Sequence, residues 1–193
     1  MFTPESSWSV PDVFPQFSET ETVAIDLETH DPHLMTCGPG WATGRGQVVG
    51  IGVAVKDWQG YFPIRHIGGG NLDETIVLRW LANLLSFEKR EVIFHNALYD
   101  VGWLRREGID VKGKILDTII AAPLLDENRF SYSLDTLGSA YCDEKKDESL
   151  LQDAALAYGI NPKSEMYKLP AKYVGPYGEQ DAALTLKLWN KLK

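Results

Sequence analysis

Three short stretches place acidic and phenolic side chains where they could do chemistry. The first is Asp26-Leu27-Glu28, inside the apolar, β-branched run TVAIDLET at 22–29. Side chains alternate along a strand, so Ala24, Asp26 and Glu28 share one face while Val23, Ile25 and Leu27 share the other. Two carboxylates pointing the same way from an apolar strand repel each other and lose hydration. Either something positive compensates them, or the strand ends there with both acids in water. The second stretch is HNALYD at 95–100. A short strand at 91–94 ends, His95 and Asn96 make the turn, and Asp100 falls in the first turn of a helix. An acid there also suits the helix dipole without any further role. The third is Tyr177 and Asp181, four apart in a late helix and therefore one turn apart on one face. An ordinary surface acid is the plain alternative. Glycosidase chemistry is excluded for Asp26 and Glu28, because acid and nucleophile flank a sugar from opposite sides.

The elements that must position these groups follow from local pattern. Residues 1–20 carry three prolines among Ser, Thr and Glu and read as an irregular arm. The run 22–29 is a strand. Residues 30–46, with Pro32, Pro39 and four glycines, read as a loop. A second strand at 47–55, a turn at 57–60 and a short strand at 61–64 make an antiparallel meander. A helix spans 71–85, capped by Asn71 or Asp73. After the strand at 91–94, a helix at 97–107 is ended by Gly108. Further helices are expected at 117–125 with Asp117 as N-cap, at 133–140, and at 148–158 with Gly159 and Pro162 closing it. The stretch 161–176 has three prolines and no clear period, and reads as a loop. A last helix covers 177–192. Strands first and helices later indicate a mixed α/β sheet covered by helices.

The chain has 193 residues, 44% hydrophobic and 11% aromatic, enough for one domain with its own core. Lys and Arg total 19 against 27 Asp and Glu, a net charge of −8. That excludes a passive coat for nucleic acid, which would be basic. It leaves room for an enzyme that meets phosphates through divalent cations, whose site must itself be acidic. No run reaches the roughly 18 apolar residues of a membrane span. No secretory signal is visible, and Cys37 and Cys142 make neither a disulfide framework nor a zinc site, so a reducing, intracellular setting is expected.

Taken in order over about 155 residues, D-x-E on a strand, N-x-x-Y-D at a strand-to-helix turn and Y-x-x-x-D on a late helix form a far more specific set. AIDLET, HNALYD, YGEQDAALTL and the intervening ILDTIIAAPLL and SLDTL resemble the DEDD 3′–5′ exonucleases, in the subtype with a tyrosine in the third motif. The resemblance is strongest to the proofreading domain of a family A, phage-type DNA polymerase. It implies a ribonuclease H-like fold, a five-stranded mixed sheet flanked by helices. Residues 1–20 would be an arm and 21–193 a single exonuclease domain. It also implies four metal ligands, Asp26, Glu28, Asp100 and Asp181, holding two divalent cations, Mg²⁺ or Mn²⁺. Asp26 would bridge them, Glu28 and Asp181 would complete the site that activates water, and Asp100 would serve the second ion. Tyr177 would orient the attacking water. Asn96 would hold the terminal nucleotide, with Tyr99 and His95 flanking it. Arg129 would lie near the scissile phosphate, and Thr29 would contact the 3′ hydroxyl through its backbone. The expected partners are a single-stranded DNA 3′ end and a DNA polymerase domain or subunit, in the cytoplasm (the host's, for a phage protein) and away from membranes.

Two other functions use the same fold: a 3′-processing ribonuclease, and an inactive nucleic-acid-binding domain of a polymerase. The complete acidic set speaks against the second. No polymerase motif is present, so a free-standing enzyme and one domain of a polymerase both fit. Several features carry no chemistry at this level. Gly44, Gly46 and Gly50 have the wrong spacing for a dinucleotide site and precede a strand. Gly68-Gly69-Gly70 reads as a hinge or turn. His30, His33 and His66 read as loop residues. Lys145-Lys146, in the run DEKKDE, reads as a solvated surface. Lys163, Lys168 and Lys172 are better placed for phosphate contacts, because their loop leads into the third motif.

Overall fold

A strand covered on both faces belongs in the middle of a sheet, and β1 (Val23–His30) lies there. The computed structural model describes residues 3–193. Met1 and Phe2, the start of the expected arm, lie outside the described residues. After β1, the stretch expected to be loop contains two single helical turns, α1 (Leu34–Cys37) and α2 (Gly40–Thr43), each too short to show a period. A hairpin follows, β2 (Gln47–Val55) and β3 (Trp58–Pro63). Its turn is tighter than expected. Asp57 adopts φ 63°, which lets Trp58 pair directly with Val55, so β3 begins three residues early.

Helix α3 (Glu74–Leu84) starts at Asp73, whose carboxylate accepts from the Ile76 amide at 3.0 Å. Then come β4 (Glu91–Phe94), α4 (Ala97–Arg106), β5 (Lys114–Asp117) and α5 (Thr118–Leu125). The edge strand β5 escaped the sequence reading because four residues, two of them exposed, carry no alternation. The helix expected at 133–140 is one turn, α6 (Leu134–Leu137), which widens into a π-turn at Gly138–Cys142. Helix α7 (Ser149–Tyr158) and a 3₁₀ turn at Met166–Lys168 lead to α8 (Ala171–Leu192). The loop expected at 161–176 therefore ends six residues early.

Pro176 explains that last difference. Inside a helix, proline leaves the carbonyl four residues back without a donor. Here that carbonyl belongs to Lys172, and Ser6 Oγ donates to it at 2.8 Å. The N-terminal arm thus makes the proline tolerable within α8.

The sheet order is β3-β2-β1-β4-β5. The hairpin strands run antiparallel to β1, and β4 and β5 run parallel to it. The expected five-stranded mixed sheet flanked by helices is what forms. One face packs Val23, Ile25 and Leu27 against α3 and α4, with Trp80, Leu81, Trp103 and Leu104 buried there. Ala24 faces the other way, onto Ala182 and Leu186 of α8. Residues 3–22 hold no helix or strand. Yet Phe14 stacks on Phe62 at 5.6 Å, and Trp8 Nε1 donates to Glu179 on α8 at 2.8 Å. Fully buried Arg90 donates to the carbonyls of Ser18 and Glu21.

Candidate active site

Strand parity sends Asp26 and Glu28 to the face covered by α8. Their cross-strand partners on β2 are Gly52 and Gly50. A Cβ on Gly52 would lie 2.4 Å from the Gly178 carbonyl oxygen, and one on Gly178 would lie 2.5 Å from the Tyr61 ring. Glycine at both positions lets α8 approach the sheet closely enough to bring Tyr177 and Asp181 onto the two acids. A register irregularity directly after Glu28 interrupts the ladder with β2 at the site, and pairing resumes at Thr29 and His30.

Carboxylate oxygens of Asp26, Glu28 and Asp181 all lie within 4.8 Å of one another. Glu28 and Asp181 are 7% and 5% exposed; Asp26 is half-buried. Asp100, 5% exposed, stands beside them with Oδ1 accepting from the Leu27 amide at 3.1 Å. It is outside the group of three within mutual ligand range, but the charge of Asp26 acts on it. Burial and crowding leave the cluster short of positive charge. Desolvation, then Asp181, pushes the Asp26 carboxyl up to about 7. Glu28 is held well above the carboxylate range by burial and then by Asp26 and Asp181. Asp100 is raised by burial and then by Asp26. Oδ1 of Asp181 is buried without a hydrogen-bond partner. An all-oxygen donor set of this kind suits a hard divalent cation; Asp26, Glu28 and Asp181 fit one, with Asp100 close by.

Tyr177 lies 8% exposed beside the cluster. Burial, then Glu28, Asp181 and Asp26, drives its phenol far above the ordinary value, so it keeps its proton. Two lysines flank its ring, Lys146 at 4.5 Å and Lys163 at 4.7 Å from the centroid. Lys146 Nζ also lies 2.7 Å from Asp181 Oδ2 and 3.2 Å from the Tyr177 hydroxyl. Its side chain is 9% exposed, which corrects the reading of residues 145–146 as a solvated surface. Burial alone would lower the Lys146 ammonium; the Asp181 carboxylate outweighs it and holds the group above its usual value. A charge run on its own does not reveal which lysine turns inward. Of the three lysines favoured for phosphate contacts, Lys163 reaches the site, with Nζ on Glu148 and 3.4 Å from the Tyr177 hydroxyl. Lys168 is paired with Glu165, and Lys172 is exposed.

The remaining expected residues are held by their own networks. Asn96 precedes α4 in the left-handed region, φ 78°, a conformation asparagine tolerates. Asp117 fastens that turn, accepting from the amides of Asn96 and Ala97 at 2.9 and 2.8 Å while capping α5 at Ile119. This is how β5 sets the position of Asp100, a role invisible in a sequence that showed Asp117 only as a cap. His95 Nδ1 bonds Thr118 Oγ1 at 2.8 Å. The Tyr99 hydroxyl joins Thr29 Oγ1 at 2.9 Å and Asp31 Oδ2 at 3.0 Å, bracing the end of β1. Arg129 lies over Tyr141 at 4.6 Å, with Nε 3.1 Å from an Asp126 oxygen. Of the histidines read as loop residues, His30 belongs to a strand, and His66 is in a loop but buried. His30 ends β1 and stacks on Tyr167 at 3.8 Å. His66 is buried between the Tyr61 hydroxyl at 2.8 Å and the Leu169 carbonyl at 3.0 Å.

Solved structures share this build. NrnC of Brucella melitensis bound to pGG superposes with a TM-score of 0.60 at 18% identity, over 90% of this chain and 72% of that one. The catalytic core of RRP6 from Trypanosoma brucei does so at 0.56 and 19%, over 90% and 41%. The fold is ribonuclease H-like. The sequence profile of a 3′-5′ exonuclease family matches residues 3–193, and the chain belongs to that family, the exonuclease domain of family A DNA polymerases. A DNA-directed DNA polymerase of Pseudomonas phage M6 is 40% identical over 194 residues, 96% of this chain and 29% of that protein. DNA polymerase I of Pseudomonas aeruginosa is 29% identical over 189 residues, 92% and 19%. The chain thus spans less than a third of these polymerases. No helix among the described residues is long and apolar enough to cross a membrane.

Proposed function

We propose that this domain hydrolyses single-stranded DNA from its 3′ end with two bound divalent cations, Mg²⁺ or Mn²⁺, releasing nucleoside 5′-monophosphates and proofreading for a polymerase domain or subunit. The observation that carries the reading is the convergence of Asp26, Glu28 and Asp181 within 4.8 Å, from a central strand and a helix 155 positions later. The similarity to DNA polymerases supports DNA over RNA as substrate.

Asp26, Glu28 and Asp181 would hold one cation, and Asp100, with Asp26, would serve the other. Bound there, the cations lower the pKa of a water and neutralise charge at the phosphate. The Tyr177 hydroxyl, unable to act as a base, donates a hydrogen bond that orients the attacking water; this makes the site of the tyrosine-containing DEDD type. Lys163 contributes positive charge at the rim for the phosphate backbone. Asn96 and His95, on the turn before α4, and the end of β1 at Thr29 face the terminal nucleotide, with Tyr99 bracing them. Arg129 lies farther out, beside the approaching strand. A cytoplasmic setting, in the host for a phage protein, follows from the replication role.

Asp26→Ala and Asp181→Ala are expected to lower the digestion rate of a 5′-labelled oligonucleotide by about 10³-fold or more, a loss of roughly 4 kcal/mol in barrier lowering. Circular dichroism should be unchanged. Digestion at the wild-type rate by either variant contradicts the assignment. Matched DNA and RNA strands separate proofreading from 3′ processing of RNA: faster loss of the RNA reverses the substrate preference.

A further inference from the structure

The acidic cluster already contains a cation, the ammonium of Lys146. We propose that Lys146 is a built-in counter-cation that holds the carboxylates together before a divalent cation binds and is expelled when one does. The inference rests on the reading of the cluster as a divalent-cation site.

Three observations carry it. Lys146 is turned inward while its neighbour Lys145 is exposed, so the geometry is specific to one of two adjacent lysines. Its Nζ has three partners: Asp181 Oδ2 at 2.7 Å, the Tyr177 hydroxyl at 3.2 Å and Glu148 Oε1 at 3.7 Å. And Asp181 Oδ2 belongs to a carboxylate of the cluster, whose other oxygen has no partner at all.

Buried carboxylates so close together persist by keeping protons or by taking positive charge among them. One ammonium is the minimum that the chain can supply. A divalent cation needs carboxylate oxygens at about 2.0–2.1 Å for Mg²⁺; even on the free Oδ1 of Asp181 it would face the ammonium across a single carboxylate, where like charges repel in a dry site. The ammonium must therefore leave Asp181 as the metal arrives.

The segment around Lys146 is built for that exchange. It is irregular, lying between the π-turn and α7, and follows Asp143 at φ 54°. The next residue is pinned, with the Asp147 amide donating to Gln180 Oε1 at 2.9 Å and its carboxylate accepting from the Ser149 amide. The backbone can stay while the four-carbon side chain swings. Glu148 already lies beside the ammonium, and also accepts from Lys163, so it can keep the released charge at the rim. The exchange keeps the empty site ordered and sets the metal affinity below what bare carboxylates would give.

Two measurements on the full chain test this, with Mn²⁺ alone as probe. The first is competitive amine acetylation read by peptide mass spectrometry. Saturating Mn²⁺ should raise the rate at Lys146 relative to Lys145 by about 10-fold over the rate in chelator, because the ammonium leaves its ion pair. The second is calorimetric titration. Lys146→Met should bind Mn²⁺ about 10-fold tighter than wild type, and Lys146→Arg should return towards the wild-type value. Unchanged protection of Lys146 in Mn²⁺ overturns the proposal, as does a Lys146→Met variant that binds no tighter. The labelling decides the matter even if that variant fails to fold. If neither wild type nor variant binds Mn²⁺, the cation-site reading itself fails; binding without release of Lys146 defeats only the exchange.

Discussion

Tyr177 is surrounded by carboxylates and lysines at once, and that environment fixes what its hydroxyl can do. Held protonated by burial and by three acids, it accepts from Lys146 and Lys163, keeps its own proton and cannot abstract another. Tyr177→Phe is expected to slow single-turnover digestion roughly 10- to 100-fold through loss of orientation, with Mn²⁺ affinity unchanged. An unaltered rate, or lost metal binding, contradicts that role. His66 gives a second residue-scale test. Burial holds its imidazole down at about 4 against an ordinary 6.5. Between those values the unfolded chain binds the proton and the folded chain does not, so stability rises with pH across the window and is lost as pH falls through it. Relative to His66→Gln, wild type should lose roughly 3 kcal/mol between pH 7 and pH 4 in denaturant titrations. Parallel curves for the two proteins refute this. Parity and helical spacing made it legible that Asp26 and Glu28 share one face and Tyr177 and Asp181 another; that the two faces meet was implied only by the family resemblance. Lys146 and His66 were not, because their burial depends on partners far away in the chain, such as Asp181 and Leu169.

The decisive contact between elements is β2 against α8. Gly52 and Gly178 leave no room between sheet and helix, and the site exists because they do not. Gly52→Ala puts a methyl 2.4 Å from a backbone oxygen, which no side-chain rotation can relieve. It should destabilise the domain by on the order of 2–3 kcal/mol and displace Asp181, lowering activity more than stability alone explains. A wild-type denaturation midpoint with full activity contradicts this packing. Gly52 was visible in VVGIGVAV and Gly178 in YGEQD, but nothing local says that the two will meet. The same limit applies to β5, a strand made by its register with β4, and to the first six residues of α8, where the Ser6 hydroxyl satisfies the carbonyl that Pro176 leaves free. The central strand, α3 and α4 were legible because their own periodicity and caps suffice.

Across the whole molecule, a net charge of −8 and an inward-facing acidic cluster are consistent with each other. In the proposed function the domain would meet a polyanion through cations bound at its site and through a few lysines at the rim, such as Lys163, rather than through a basic surface. The arm at 3–22 ties α3, α8 and the sheet together from outside, so the site-bearing helix is fixed over its first turns, from Lys172 to Glu179. The most direct test uses one single strand labelled at its 5′ end in one sample and at its 3′ end in another, each with Mg²⁺, Mn²⁺ or chelator. The 5′ label should appear in a ladder shortening from the other end, and the 3′ label in a mononucleotide from the start, both abolished by chelator. Internal cuts, release of the 5′ label first, or digestion that persists in chelator would contradict a cation-dependent exonuclease working from the 3′ end.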